Sequence, residues 1–385
     1  MAYPEREKMK RPSGSISLSE YAQVIAPTDV LDQHDLRPVL LGLYGEVGGI
    51  MATAKKHKRD GERFPGYVRA AREEFGDALW YLAALCRRLD IDFEGLFAEA
   101  STSNGCRTIS IASDMAGGVC ATIALPASVA DLDARLFQLG RSAAALLVQT
   151  PDRLSLLSFT RDYLDALHGT RLTFSEVVRG NLAKARSAFV EPDPGDLVDF
   201  DKDFCVEEQL PRVFAVRIQQ RPSGKSYLQW NGVFIGDPLT DNIGDPDGYR
   251  FHDVFHLSYA AILHWSPVVR ALIKHKRKSV QSYDEEQDSG RAIVVEEGVT
   301  AWLFTQAKEL AFFEGQTRVS LGLLKSVGDF VRGYEVDRCP LKLWERAIIQ
   351  GYDVFRKVRA SQGGWIVGDR AMRTVRYEPP NWTPL

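Results

Sequence analysis

Two long stretches, Leu36–Lys58 and Val68–Leu89, repeat apolar residues at helical spacing with a short charged break between them. The second carries Phe75, Leu79, Leu82 and Leu85 on one stripe. The break, KHKRDGERFPG, contains Gly61, Pro65 and Gly66 and reads as a turn. Two long helices joined this way must fold back as an antiparallel hairpin. Such a hairpin pairs positions equidistant from its turn. Glu46 then faces Asp77, and Gly49 faces Glu74, both pairs centred between residues 61 and 62.

Further helices are expected around this hairpin. Ser17–Ala26 is short, with Ser17 or Ser19 as N-cap. Phe93–Ala100, Asp131–Val148, Leu154–Leu167 and Phe174–Phe189 follow. Ser101–Pro126 interrupts the pattern with two β-like runs, RTISIA and VCATIAL, and predicts a small inserted hairpin. LDIDFEGLFAEA (89–100) resembles RLTFSEVVRGNL (171–182), and LYGEVGGIMATA (43–54) has a weaker echo in LFQLGRSAAALL (136–147). The alternatives are two copies of one helical unit or chance similarity.

Length and composition divide the chain. Its 385 residues predict two or three domains. Residues 1–15 read as a flexible tail, 16–190 as a helical domain with an insertion near 101–130, and 191–204, acidic with two prolines, as a linker. Residues 205–385 read as a second helical domain led by a β-hairpin around PSGK and NG, with an irregular or short-stranded end. The hydrophobic share of 45% and charged share of 26% are those of a globular protein. A net charge of −3 does not point to nucleic acid or an anionic membrane. The five cysteines include no CxxC pair, so a reducing, cytoplasmic setting is expected. No secretory h-region and no run of about 18 apolar residues is visible.

Candidate chemistry begins at the hairpin. Glu74 and Asp77 are three apart and share a helix face, so Glu46, Glu74 and Asp77 converge at the interface, with Glu73 beside them. Clustered carboxylates repel and lose hydration unless a cation neutralises them. Oxygen-only donors select Mg²⁺ or Mn²⁺. Lys55, Lys56 and Lys58 lie nearby in sequence and could hold phosphates. The competing reading is a solvated helix face paired with Arg69, Arg72 and Arg88.

GLYGEVGGI and EEFGDALWYLAALCRRLDIDFEGL, flanked by SLSEYAQ and NLAKARSAF, resemble the MazG-like family of all-α nucleoside triphosphate pyrophosphohydrolases over roughly residues 16–190. That family places ExxE on one helix and ExxD on the next and binds Mg²⁺. The resemblance assigns Glu46, Glu74 and Asp77 to its motif, with Gly49 replacing the second Glu. It implies metal-assisted hydrolysis at the α-phosphorus, giving a nucleoside monophosphate and pyrophosphate. The second half-repeat has Leu139 where Glu46 would echo and carries no matching acids.

A second constellation lies near the middle of the other half. His252 and His256 are four apart on one helix face, with Asp253 beside them and Glu296 and Glu297 on a later helix. Histidine plus carboxylate suits Zn²⁺, Mn²⁺ or Fe²⁺. Core or capping histidines are the plainer alternative. KHKRKS supplies Lys274, Lys276, Arg277 and Lys278, either as a solvated helix end or as phosphate contacts. HDVFH, KRKS and EEG resemble the C-terminal domain accompanying some MazG-like proteins, over roughly 205–320.

The sequence therefore predicts a mainly all-α chain: a MazG-like bundle, internally duplicated if the repeat is real, and a second helical domain with a small β-hairpin. The leading expectation is a Mg²⁺-dependent (d)NTP pyrophosphohydrolase in nucleotide-pool control or phage defence. The alternative is a nucleotide sensor whose degenerate site controls a C-terminal His/Glu metal site. A homodimer is also expected, since two-helix units need partners for their second faces.

Overall fold

The computed structural model describes residues 17–102, 108–113, 119–124, 131–170 and 172–384. The tail expected over residues 1–15 lies outside them. The chain divides into two compact units, Met1–Arg186 and Ser187–Leu385.

The first unit is helical. Its first helix, α1 (Leu18–Ile25), starts from a capping box in which Ser17 Oγ accepts from the Glu20 amide and Glu20 accepts from the Ser17 amide. Helices α2 (Arg37–Asp60) and α3 (Tyr67–Arg88) form the antiparallel hairpin. His57 and Tyr67 stack across its turn with centroids 3.9 Å apart. The predicted register holds: Gly42 lies against the Tyr81 ring and Gly49 against the Glu74 carboxylate. The stripe Phe75, Leu79, Leu82 and Leu85 is buried in one core with Tyr21, Leu43 and Val47.

Helix α4 (Phe93–Thr102) follows, then two antiparallel strands, β1 (Thr108–Ser113) and β2 (Val119–Ala124), as the predicted inserted hairpin. Helices α5 (Leu132–Ala145) and α6 (Arg153–Gly169) pack on each other, and α7 (Phe174–Phe189) closes the series. A two-helix hairpin followed by another helix thus occurs twice, as the repeat suggested. Leu139 is buried in the shared core, which suits an apolar residue at the position echoing Glu46.

The second unit surrounds an antiparallel sheet with the order β5-β4-β3-β6-β7. The predicted hairpin supplies β3 (Val213–Gln220) and β4 (Ser226–Trp230), and β5 (Val233–Leu239) adds an edge. The segment expected as irregular or short-stranded supplies β6 (Gly363–Asp369) and β7 (Thr374–Glu378), with β6 paired to β3. On β3, Phe214, Val216 and Ile218 alternate inward, as a strand with one buried face requires. Helix α8 (Asp253–Ile262) is buried along its whole length between the sheet and α13 (Leu341–Ser361). Helices α9 (Pro267–Ile273), α10 (Gln281–Glu286), α11 (Gly290–Glu309) and α12 (Leu321–Phe330) complete the unit.

Residues 191–204 are not a free linker, which corrects the expected boundary. Asp201 is fully buried and accepts from Arg270 (2.5 Å), Arg370 (2.7 Å) and the Leu210 amide (2.7 Å). Prolines and acidic residues resemble a linker in sequence, but here the acids neutralise arginines of the second unit's core. Among the described residues no helix is long and apolar enough to cross a membrane.

Candidate functional site

The first candidate site lies on the α2–α3 hairpin. Gly49 matters by what it lacks: a Cβ there would sit 2.1 Å from Glu74 Oε2. The Glu74 carboxylate therefore lies across α2, in the space a side chain at 49 would take. There it is hydrogen-bonded to Glu46. Burial, then Asp77, then Glu74 push the Glu46 carboxyl up to about 7.

Helix α7 completes this cluster. Lys184 Nζ pairs with Asp77 and, at 3.0 Å, with Glu73. Burial opposes the ammonium charge, but Asp77 and then Glu73 outweigh it and raise the Lys184 pKa. Asn181 donates to Asp77 Oδ1 at 3.2 Å and accepts from Tyr21 Oη at 2.7 Å, so a relay from α1 orients the carboxylate. Gly76 lets α3 approach α7 here, because a Cβ would lie 2.9 Å from that of Asn181. Glu73 thus faces Lys184. Asn181 and Lys184 were not singled out from sequence, although their i, i+3 spacing in NLAKARSAF was a usable signal.

The expected phosphate contacts fare differently. Lys55 and Lys56 are exposed on α2, nine and ten residues beyond Glu46, roughly 14 Å along the helix. Lys58 is exposed and paired with Asp133. In the second unit the KHKRKS run is not one solvated end. Arg277 is fully buried, bridging Asp288 (2.6 Å) and Glu335 (2.6 Å) and donating to the Phe200 carbonyl. Arg277 is therefore core structure, which corrects its reading as a phosphate contact. Lys276 donates to Ser289 Oγ at 3.1 Å, while Lys274 and Lys278 are exposed.

The second candidate site joins α8 to α11. His252 Nε2 lies 3.6 Å and His256 Nε2 3.4 Å from Glu297 Oε2. The other ring nitrogens are engaged: His252 Nδ1 with the Tyr249 carbonyl and His256 Nδ1 with Glu296 Oε1, each at 2.9 Å. Tyr249 also stacks on the His252 ring, with centroids 4.3 Å apart. Glu296 further accepts from Ser266 Oγ (2.6 Å) and the Val268 amide (2.8 Å). Burial opposes charge on His256, but Glu296 and Glu297 raise its pKa to about 10.

Of the five expected ligands, His252, His256 and Glu297 converge. Glu296 and Asp253 do not, which corrects their reading as ligands. Neighbouring helix residues diverge by about 100°, so Glu297 faces an opening while Glu296 points into the core. Asp253 is buried beside the histidines, its carboxyl raised by desolvation. Tyr249 and Ser266 escaped the sequence reading, because their roles arise only from tertiary contact.

A family model described as MazG C-terminal domain matches residues 195–381. Residues 195–381 are thus similar to that domain. The match extends the resemblance expected over roughly 205–320 to nearly the whole second unit. No curated protein and no solved structure matches the chain. The second candidate site therefore lies within the matched residues, and the carboxylate cluster in the helical unit before them.

Proposed function

We propose that the protein is a Mg²⁺- or Mn²⁺-dependent pyrophosphohydrolase of (d)NTPs or related nucleotides, acting through the helical unit. The supporting observation is the convergence of Glu46, Glu74 and Asp77 on the α2–α3 hairpin, with the Glu46 carboxyl raised to about 7. Such displacement is found where burial and like charges outweigh the nearby cation, here Lys184, and it clusters at functional sites. The donors are all oxygens, which fits a hard divalent ion held by Glu46, Glu74 and Asp77. Bound there, the ion would supply Lewis-acid stabilisation of a substrate phosphate. In the metal-free cluster Glu46 titrates near neutrality, and an ion binding there would take the place of its proton. Asn181 and Tyr21 keep Asp77 oriented. Lys55 and Lys56 are exposed to meet the more distal phosphates.

A second reading rests on Lys184. Its ammonium already neutralises Asp77 and Glu73, so the unit could bind nucleotide without cleaving it and act as a sensor. Pyrophosphate release from a (d)NTP panel with Mg²⁺ or Mn²⁺ separates the two. Release by wild type and His252→Ala but not Glu46→Gln supports the enzyme. Nucleotide binding by wild type without release supports the sensor.

A further inference from the structure

We infer that the second unit carries its own mononuclear transition-metal centre, with His252 Nε2, His256 Nε2 and a Glu297 carboxylate oxygen as ligands. This inference is independent of the activity proposed for the helical unit.

In the neutral tautomer whose Nδ1 donates to its acceptor, each Nε2 turns a lone pair toward Glu297. Three acceptors then face one point. His256 Nε2 is fully buried and has no hydrogen-bond partner among the described residues, although Glu297 is 3.4 Å away. A buried acceptor aimed at another acceptor calls for a cation between them: a second proton on His256, as its raised pKa provides in the metal-free protein, or a metal ion that displaces that proton.

The spacing fits a metal. The three ligand atoms lie within 4.8 Å of one another, and the two distances to Glu297 are 3.6 and 3.4 Å. Tetrahedral bonds of ~2.1 Å place ligand atoms roughly 3.4 Å apart. The surroundings fit as well. Metal-bound histidines usually donate their other nitrogen to a carboxylate or carbonyl, which fixes the tautomer. Glu296 does this for His256, and its remaining capacity is occupied by Ser266 and Val268, so it cannot swing into the first position. The Tyr249 carbonyl does it for His252.

The Glu297 side chain is 41% exposed, so the centre opens to solvent on one side. Three protein ligands with an open position are the pattern of catalytic rather than structural sites. The mixed nitrogen and oxygen donors select Zn²⁺, Fe²⁺, Mn²⁺ or Co²⁺ over Mg²⁺.

The test is a Co²⁺ titration of chelator-stripped full-length protein, followed by visible absorption and calorimetry. Wild type and Glu46→Gln should both show the ligand-field band of one nitrogen-containing site, whatever the carboxylate cluster of the helical unit binds besides. His252→Ala and Glu297→Ala should bind at least tenfold more weakly, and Glu296→Gln about 10–100-fold more weakly. Circular dichroism checks that each variant is folded. Glu297 stands on the open side, so it decides the matter even if a histidine variant fails to fold. Unchanged Co²⁺ affinity in folded Glu297→Ala, or no band in folded wild type, would overturn the proposal. A band lost in Glu46→Gln alone would place the metal in the helical unit and overturn it too.

Discussion

Glu46→Gln should make the metal-free helical unit more stable while removing its response to Mg²⁺. In the folded chain the Glu46 carboxyl is raised from 4.5 to about 7, first by burial and then by Asp77 and Glu74. Ionisation is therefore harder in the folded state than in the unfolded one. The penalty is absent below about pH 4.5, grows between 4.5 and 7, and is complete above 7. At about 1.4 kcal/mol per pH unit the ceiling is about 3 kcal/mol. Solvent screening of a partly exposed carboxyl reduces this to about 1–2 kcal/mol. Glutamine keeps the shape and removes the charge. Urea unfolding should show the variant more stable by that margin at pH 8, with the gap closing at pH 4.5. Hydrogen exchange of the α2 and α3 amides should localise the gain. Mg²⁺ should stabilise wild type and leave the variant unchanged. A variant less stable than wild type at pH 8, or a gap independent of pH, would refute the reasoning and make Glu46 a structural hydrogen-bonding group.

Other outcomes follow from the same geometry. Lys184→Met removes the ammonium paired with Asp77 and Glu73; thermal unfolding should show a loss of roughly 1–3 kcal/mol, largely recovered by Mg²⁺. No recovery would mean that the cluster does not bind the ion. Gly49→Ala places a Cβ on Glu74 Oε2 and forces that carboxylate off α2; calorimetry should show Mg²⁺ binding about tenfold weaker with circular dichroism unchanged. Asp29 is held below the usual carboxylate range because, against burial, it accepts from Arg88 and faces Arg87. Its stabilisation is present above the unfolded value of about 3.9 and fades as pH falls through the lower folded value. Asp29→Asn should cost roughly 3 kcal/mol at neutral pH by stranding buried Arg88, and a smaller gap in strong acid would check the sign.

Local pattern was enough to place most helices. The breaks near Gly61 and Pro65 and the stripe through Phe75 and Leu82 fixed the α2–α3 register, because a short turn leaves two helices no other pairing. From that register Glu46, Glu74 and Asp77 could be brought together on paper. The i, i+4 spacing of HDVFH likewise put both histidines on one face. What local pattern could not decide was which groups compensate which. Lys184 and Asn181 lie more than 100 residues from Asp77, so their partnership depends on how α7 packs against α3. Arg277 reads as a surface charge because its anions, Asp288 and Glu335, are brought to it only by folding. Glu296 and Glu297 are chemically identical neighbours. Helix spacing says that they diverge, but only the packing of α11 against α8 says which one meets the histidines. Charge type and periodicity belong to the sequence, whereas desolvation and pairing are properties of distance, and distance between remote residues exists only in the folded chain.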